Sequence, residues 1–527
     1  MPESTRVNFR VLEGPSAIAP FAAVVAVFSS AFGSHSMPAA DVGRILVELL
    51  PSELSDKIVL PQRDVGFASL AAAVAHALQD QPGPFELPVE VQPAADGWQR
   101  IVLGYLDPQA ALQALRAGCE MAAIVFQRGA GAPERKRALA TLIQRVAVMM
   151  RMRQPDFIAR ALMRVARRRN IPFYPVAPGS RIWLYGQGSK GMHFFEAANQ
   201  HDSYTGSRLA RNKLLSNELV TRLGLPGVVH GIAGDAEAAA GIAAELGFPV
   251  VVKPVDRSKG AGITANITSI DELKAAFGRA TKASKNGVLI ERHVQGDDHR
   301  LAVFGGAFAW SVRRSPPRLT GDGQHTVAEL IARENLNRSD ADVAAGFITR
   351  LSIDADMRAV LAKQHLKPED RPEPGRVVQL RSIANTATGG TITDCTASIH
   401  PENRSLAETI ARSFRMDALG IDFMTPDITR SWREVPCAVL EVNPAPGFSS
   451  DGRAEIILRQ AFPDDADGRI PSVILIGADR PLIDRVTTWV QATGRRVGTT
   501  DAAVTALAGH PRCKDANRLP DRVMALL

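Results

Sequence analysis

Oxygen-bearing side chains alternate with apolar residues in two short segments of the last quarter of the sequence. In Leu440-Glu441-Val442-Asn443, the period of two in a β-strand puts Glu441 and Asn443 on one face. Gly420-Ile421-Asp422-Phe423 offers a third oxygen ligand, Asp422, and the turn-rich stretch between the segments allows the two strands to pair. Carboxylate and amide oxygens are the ligands that Mg²⁺ prefers. The pattern predicts a magnesium site; two ordinary strand ends with satisfied polar groups are the alternative.

A lysine near the end of the apolar strand predicted at residues 248–254 is followed by a glycine-rich loop. Lys253 needs an anion in such a position, and Gly260 and Gly262 would let backbone N–H groups approach phosphates closely. Lys253 is therefore interpreted as a phosphate contact, although the glycines alone also suit a hairpin turn. Residues 290–294 have strand character, and their main-chain groups could form hydrogen bonds with the edge of an adenine ring. An edge strand with a charged loop is the alternative there.

Length and composition indicate a soluble multidomain protein. A chain of 527 residues suggests about three compact units. Hydrophobic residues make up 45% and charged residues 22%, which is ordinary globular composition. The four cysteines are far apart and lack a Cys-x-x-Cys pair, which argues against zinc and a disulfide framework and fits a reducing cytoplasm.

Two stretches could suggest other partners. Arginines recur through residues 151–169 and contribute to the net charge of +7, but apolar residues are interleaved with them. An amphipathic helix with a solvated basic face is therefore favoured over nucleic-acid binding, since no nucleic-acid motif accompanies the charge. Residues 17–32 are apolar, but about 16 residues are too few to span a bilayer, so a buried strand or helix is expected and no membrane partner.

Changes of pattern divide the chain near residues 170 and 460. The first region predicts a strand at 98–105 and a helix at 108–123. The second predicts a helix at 270–280 and strands at 288–294, 301–312 (broken by Gly305 and Gly306), 419–424 and 438–442, with a polar, mostly helical insertion at 327–366. The third predicts a buried strand at 472–476, a helix at 481–493 and another strand from 496, as one βαβ-like start.

Eight segments, in order and spacing, resemble the ATP-grasp superfamily and, more closely, the ATP-grasp part of cyanophycin synthetases. They are RNK (211–213), FPVVVKP (248–254), ERHVQGDDHR (291–300), GDGQHT (321–326), LRSIANTATGG (380–390), HPEN (400–403), GIDF (420–423) and LEVNPAPGF (440–448). The similarity spans about residues 171–455, and a weaker one extends through the N-terminal region.

This resemblance implies an α+β ATP-grasp fold with an α+β N-terminal domain and a short α/β C-terminal remnant. The implied domains are 1–170, 171–460 (ligase, with a lid at about 213–295) and 461–527. The implied ligands are ATP and Mg²⁺, with Mn²⁺ as the alternative metal. Metal binding falls to Asp422, Glu441 and Asn443, and nucleotide binding to Lys213, Lys253, Lys259, Gly260, Gly262, Glu291, Val294 and Asp298. Arg381 would lie near the transferred phosphate, and Arg300, Arg313 and Asn385 are further catalytic candidates.

The sequence also departs from the family. The loop after Lys253 differs from the family's usual motif, which leaves the details of the lid open. Residues 186–191 also differ from that family's sequence, which leaves the acceptor substrate open. Cyanophycin synthetases continue into a Mur-ligase-like domain with a Gly-Lys-Thr phosphate loop, whereas this chain has Arg480-Pro481-Leu482. Proline has neither the charge nor the N–H that a phosphate cradle needs. The C-terminal region is therefore interpreted as a degenerate Mur-like remnant, and one working ligase site is expected.

These features predict an ADP-forming carboxylate–amine ligase that acts through an acyl phosphate on amino acid or peptide substrates. Joining preformed dipeptides such as β-aspartyl-arginine and making a small peptide or amide both stay open. A nucleotide-binding pseudoenzyme or assembly subunit is the alternative class. A cytoplasmic homo-oligomer is expected.

Overall fold

The computed structural model describes residues 7–513 except 13–15, 29–35, 80–86, 95–97, 127–132, 154, 178, 256–261, 284–286, 339–348, 382–383, 385–388, 449, 474, 501–504 and 508–509. The chain divides into two compact units. Unit 1 comprises Met1–Asp156, Ala166–His193 and Ala466–Leu527, and unit 2 comprises Phe157–Val165 and Phe194–Asp465.

The N-terminal part of unit 1 is an antiparallel sheet with the strand order β1-β2-β6-β5, packed with helices. Alternate residues of the apolar β2 are divided between two hydrophobic clusters, which explains why nearly the whole strand is buried. The expected burial of residues 17–32 is confirmed for this strand, and no helix in the described part of the chain is long and apolar enough to cross a membrane. The elements are β1 (Asn8–Leu12), β2 (Ala23–Phe28), β3 (Ser36–Pro38), α1 (Ala39–Leu49), α2 (Ser52–Ser55), β4 (Asp64–Gly66), α3 (Phe67–Leu78), β5 (Val89–Pro93), β6 (Gln99–Gly104), α4 (Pro108–Phe126) and α5 (Pro133–Arg153).

Helices α3 and α4 approach each other closely at a glycine. A Cβ atom added to Gly118 of α4 would lie 2.2 Å from the carbonyl oxygen of Ala71 in α3. The backbone of α3 cannot move aside as the end of a flexible side chain can. The close contact between α3 and α4 therefore requires glycine at position 118.

The arginine-rich stretch at 151–169 is split between two helices rather than forming one. Helix α5 ends at Arg153, and α6 (Phe157–Arg168) begins after Pro155, which lacks the N–H that a continuous helix needs. The apolar residues of α6, including Ile158, Leu162 and Val165, are buried as the amphipathic pattern predicts. After α6 come β7 (Phe173–Pro175), β8 (Ile182–Tyr185) and β9 (Met192–Phe195).

Unit 2 contains a four-stranded antiparallel sheet, in the order β11 (His230–Ala233), β14 (Val288–Arg292), β12 (Val250–Pro254), β13 (Thr264–Ile267). It also contains a five-stranded antiparallel sheet, in the order β19 (Thr391–Asp394), β16 (Ala307–Ser315), β15 (Asp297–Phe304), β20 (Leu419–Thr425), β21 (Ala438–Pro444). Helices α9 and α10 pack on the first sheet around an apolar cluster. The elements are β10 (Ala198–Asn199), α7 (Tyr204–Arg211), α8 (Lys213–Arg222), β11 (His230–Ala233), α9 (Ala236–Leu246), β12 (Val250–Pro254), β13 (Thr264–Ile267), α10 (Ile270–Ala283), β14 (Val288–Arg292), β15 (Asp297–Phe304), β16 (Ala307–Ser315), β17 (Arg318–Thr320), α11 (Val327–Leu336), α12 (Ala355–Lys363), β18 (Val377–Gln379), β19 (Thr391–Asp394), α13 (Pro401–Phe414), β20 (Leu419–Thr425), β21 (Ala438–Pro444) and α14 (Asp451–Ala461).

The five-stranded sheet has one apolar face and one polar face. Alternate residues such as Leu301, Ile421 and Val442 share a hydrophobic cluster with Ile410 and Phe414 of α13. Residues of the opposite parity, including Arg300, Asp422 and Glu441, point to the other side, which we call the polar face. The predicted break at Gly305 and Gly306 is the turn between β15 and β16.

The insertion has its own apolar cluster, formed by α11, α12, the β17–β18 pair and the segment around Leu351. Its mostly helical character was therefore predicted correctly for α11 and α12.

The C-terminal part of unit 1 differs from the expectation. The predicted buried strand at 472–476 is wrong, because its described residues form no strand and Val473 and Ile476 are 76% and 94% exposed. The predicted helix is present as α15 (Arg480–Gln491), but none of its residues is buried. Three antiparallel strands follow, so the segment is not a βαβ start: β22 (Gly498–Thr500), β23 (Thr505–Leu507) and β24 (His510–Cys513).

The close contact of α3 with α4 predicts opposite outcomes for two helical glycines. Gly118→Ala should lower the free energy of unfolding by about 1–3 kcal/mol through overpacking. Gly43→Ala in α1, where an added Cβ meets nothing within 4 Å, should raise it by about 0.5–1 kcal/mol. Chemical denaturation measures both, and a stabilising Gly118→Ala would contradict the packing described.

Candidate functional site

A small cleft lies in unit 2 and is lined by residues of both sheets. Its polar lining combines two lysines with a carboxylate, an amide and an imidazole, and its remaining lining is apolar. The lining residues are Lys213, Leu214, Asn217, Val228, His230, Lys253, Leu289, Glu291 and Leu440.

A buried ion pair lies in this cleft. Lys253 Nζ is 2.5 Å from Glu291 Oε1, and both residues are less than 10% exposed. Strands β12 and β14 pair with Val251 opposite Glu291 and Lys253 opposite Leu289, so alternation puts both charged side chains on one face. His230 is directly opposite Glu291 on the other side of β14. The predicted nucleotide residues Lys253 and Glu291 are thus brought together.

Helix α8 contributes Lys213 and, one turn later, Asn217. The Asn217 amide holds the strand segment opposite: Nδ2 donates to Val228 O at 2.8 Å, and Val228 N donates to Oδ1 at 2.8 Å. Nδ2 also lies 3.0 Å from His230 Nδ1. Asn217 and His230 were not singled out from the sequence, although the i, i+4 spacing from Lys213 places Asn217 on the same helix face.

The three predicted metal ligands lie on the polar face. Strands β20 and β21 are antiparallel, with Asp422 directly opposite Glu441 and Gly420 opposite Asn443. A β-bulge follows this pair. Asp422 pairs with Glu441, but the next residue, Phe423, pairs with Val439, so Leu440 is the extra residue in β21. The bulge places Leu440 in the lining of the cleft, next to Glu441 of the acidic pair.

Two arginines surround Asp422. Its Oδ1 atom is 2.7 Å from Arg300 Nε and 3.1 Å from Arg314 Nη2. Arg314 Nη2 also donates to Asp298 Oδ1 at 2.6 Å. Burial raises the pKa of Asp298 to about 6, opposed by Arg314 and reinforced by the negative charge of Asp422. Asp298, a predicted nucleotide contact, therefore belongs to the charge network of the polar face.

Arg300 extends across the small residue between the metal ligands. A Cβ on Gly420 would lie 2.5 Å from Arg300 Nη1 and 2.9 Å from Pro446 Cβ. The guanidinium therefore occupies the space that a side chain at Gly420 would fill, beside Asp422 and opposite Asn443. The structure thus places Arg300, one of the predicted catalytic candidates, beside the predicted metal ligand Asp422.

Arg313 and Arg381 lie elsewhere. Arg313 is on the other face of β16 from Arg314, is 45% exposed, and donates from Nη1 to Asp297 Oδ2 at 3.1 Å. Arg381 Nη2 donates to Asp354 Oδ2 at 2.8 Å. This hydrogen bond lowers the pKa of Asp354 to about 2. The structure does not bring either guanidinium into contact with Asp422, whereas Arg314, which the sequence interpretation passed over, is in that position.

The other predicted nucleotide-binding and catalytic residues add little to the geometry of the site. Lys259, Gly260 and Asn385 lie outside the described residues. Gly262 has φ +76°, and its Cβ would meet Pro254 Cγ at 2.9 Å, so a packing constraint also favours glycine there. Val294 is half-buried just beyond the end of β14.

The donor set fits a hard divalent cation. The buried Asp422 Oδ1 accepts no hydrogen bond within the described part of the chain, despite its charged neighbours. Asp422, Glu441 and Asn443 supply oxygen atoms from adjacent strand positions, which is the chemistry that Mg²⁺ selects. No group of three or more His, Cys, Asp or Glu residues in the described ranges is placed to hold a metal ion, so a metal held here would also need an amide ligand such as Asn443.

The fold and this site define the class of protein. Residues 230–315, which contain β11, β12, β14 and the β15–β16 pair, match the family model described as D-ala D-ala ligase C-terminus. Together with the mixed helix and strand architecture, this match confirms the predicted α+β ATP-grasp fold.

The particular similarity is to cyanophycin synthetases, as the motifs predicted. The cyanophycin synthetase of Crocosphaera subtropica is 30% identical over 483 residues, which cover 86% of this chain and 54% of that protein. The bifunctional glutathione-biosynthesis protein of Mannheimia succiniciproducens is 28% identical over 249 residues, covering 46% of this chain and 33% of its own length. A crystal structure of the bifunctional glutathione synthetase from Pasteurella multocida aligns with a TM-score of 0.46 at 20% identity, covering 68% of this chain and 52% of its own. The chain spans about half the length of the cyanophycin synthetases that it matches.

The Lys253–Glu291 pair makes a prediction about stability. Glu291→Gln and Lys253→Met should each lower the free energy of unfolding by about 3–5 kcal/mol, because each leaves a buried charge uncompensated. The double variant should recover most of this loss, as a double-mutant cycle by chemical denaturation would measure. Glu218→Gln, which breaks the exposed Arg222–Glu218 pair, is the control and should cost less than about 0.5 kcal/mol. Additive single effects would show that the two charges are not coupled.

Proposed function

We propose that this chain is an ATP- and Mg²⁺-dependent ligase that joins a carboxylate to an amine through an acyl phosphate, with one working ligase site. The observation that carries the proposal is the position of Asp422, Glu441 and Asn443 next to a cleft that contains Lys213 and Lys253. The similarity to cyanophycin synthetases and to glutathione-biosynthesis proteins supports a substrate class of amino acids or peptides.

The proposed roles of the residues follow from their charges. Lys213 and Lys253 would contact the nucleotide phosphates, while Glu291 and the strand end at Val294 would contact the adenine. Asp422, Glu441 and Asn443 would hold Mg²⁺, which when bound neutralises phosphate charge and orients the phosphates. Arg300 and Arg314 already lie at these ligands, where fixed guanidinium groups stabilise the charge that develops on the transferred phosphoryl group and on the oxyanion formed when the amine attacks.

The acyl phosphate route accounts for the polarity of the site. The substrate carboxylate attacks the γ-phosphorus, the bond to the bridging oxygen breaks and ADP leaves. The amine then attacks the acyl carbon, and phosphate leaves with the C–O bond electrons while the nitrogen loses a proton. Both steps concentrate negative charge on oxygen atoms, which two arginines and a cation can stabilise in a sheltered site.

The division into an N-terminal domain, a ligase domain and a Mur-like remnant remains our proposal for functional organisation, as do a cytoplasmic location and a homo-oligomeric state. The exposed, helix-and-hairpin character of the C-terminal segment supports a degenerate second site. A nucleotide-binding pseudoenzyme is the second candidate, and the extensive pairing of Asp422 with Arg300 and Arg314 in the structure is the observation in its favour.

Magnesium-dependent ADP release tests the proposal. Purified protein should release ADP with one substrate pair from a screen of amino acids, dipeptides and cyanophycin primer. Asp422→Asn and Glu441→Gln should each reduce kcat by at least about 10²-fold, because each removes a charged ligand. Asp465→Asn and Glu434→Gln change exposed carboxylates and should leave kcat within twofold. ATP binding without ADP release for any pair would favour the pseudoenzyme.

The two adjacent arginines of β16 provide a second test. Arg314→Met should lower kcat/KM by about 10²-fold, since Arg314 faces Asp422, whereas Arg313→Met on the opposite face should change it less than about threefold. Steady-state kinetics with the substrate pair identified above measure both. A larger loss in Arg313→Met would contradict the role that we assign from the strand geometry.

A further inference from the structure

Arg453, in the first turn of α14, lies against an aromatic platform. Its guanidinium carbon is 5.2 Å from the centroid of the Trp310 ring, and its side chain is only 17% exposed. Trp310 stacks on Phe304 with ring centroids 5.0 Å apart, and Phe448 contacts both rings edge-on. These contacts fix the arginine stem and the plane beneath the guanidinium.

The guanidinium pairs loosely with one carboxylate. This ion pair joins Arg453 Nη2 to Asp394 Oδ2 at 3.7 Å. A guanidinium carries five N–H donors, so one long contact leaves donors that a ligand carboxylate can use. Burial lowers the pKa of Arg453, and the interaction with Asp394 opposes this shift. Asp394 is 61% exposed and can also accept a ligand.

This pair lies at the far end of the polar face from the acidic strands. Asp394 is directly opposite Val312, Val312 opposite Arg300, and Arg300 opposite Asp422. Directly paired residues point to the same face, so Asp394 and Asp422 share the polar face, three strand spacings apart. Three spacings correspond to about 14 Å.

We propose that Arg453 and Asp394 bind the zwitterionic head group of an amino acid or short peptide substrate. The substrate carboxylate pairs with Arg453 over Trp310, and its ammonium group pairs with Asp394. The reacting end then extends along the sheet past Arg300 toward Asp422 and Glu441. A span of about 14 Å, shortened by the side chains that reach in at both ends, suits two or three extended residues. This inference rests on the proposed function for the identity of the reacting end.

Binding measurements test the head-group site without relying on turnover. Isothermal titration calorimetry of the full chain, with Mg²⁺ and a non-hydrolysable ATP analogue, would compare amino acids, dipeptides and tripeptides as free acids, as C-terminal amides and as N-acetyl derivatives. The wild type should bind at least one free zwitterion at least about tenfold more tightly than its amide and its N-acetyl form.

Two variants and a control separate recognition from folding. Arg453→Met keeps an apolar stem over Trp310 and should abolish the preference for the free acid over the amide. Asp394→Asn, at an exposed position, should abolish the preference for the free ammonium over the N-acetyl form while leaving the acid preference in place. Arg459→Met changes an exposed arginine of the same helix and should leave both preferences intact.

The outcomes distinguish this inference from the proposed function. Preferences that survive in Arg453→Met and Asp394→Asn, or a wild type that binds no zwitterion, would overturn the head-group site. ADP release with an unchanged substrate KM in Arg453→Met would also overturn it while leaving the ligase proposal intact. Head-group preferences that respond to the variants, without ADP release from any pair, would leave the head-group site standing and remove the ligase proposal.

Discussion

The antiparallel pairing of β20 with β21 sets the position of the three proposed metal ligands on the polar face. Because Asp422 is directly opposite Glu441, both carboxylates project to the same side, and Asn443 follows two residues later. The pairing of β15 with β20 then puts Arg300 in the same transverse row. A shift of one residue in either register would exchange this face with the apolar one, where Ile421 and Phe423 pack beneath α13. The hydrophobic core and the polar site are therefore specified by the same alternation.

The bulge at Leu440 connects this face to the cleft. One extra residue in β21 lets Leu440 line the cleft while Glu441 stays opposite Asp422. The main chain of the same strand also holds the neighbouring segment, since Val439 N donates to Pro226 O at 2.7 Å. The strand that carries two of the three proposed metal ligands thus also forms part of the wall around Lys253 and Glu291. A local irregularity of this kind is typical of strands next to functional sites.

Alternation and motif order allowed much of unit 2 to be predicted from the sequence. The pairing of the two acidic strands, the strand that ends near Lys253 and the helical insertion all follow from local patterns. Two features of the molecule could not be predicted without the tertiary structure. Arg313 and Arg314 are adjacent in one strand, so only the register against β15 decides which one faces Asp422. The segment at 472–476 is apolar enough to predict a buried strand, but burial depends on a partner surface, and Val473 and Ile476 have none among the described residues.

On the proposed function, the charges of the polar face explain why nucleotide phosphates would need a cation there. Asp298, Asp422 and Glu441 contribute three carboxylates, which Arg300 and Arg314 do not fully balance. Burial raises the pKa of Asp298 to about 6, Arg314 opposes this shift, and the negative charge of Asp422 adds to it. A divalent cation held by Asp422, Glu441 and Asn443 would reverse the sign of the local charge. The same carboxylates that would repel nucleotide phosphates then become the groups that hold them, through the cation, beside two fixed guanidinium groups.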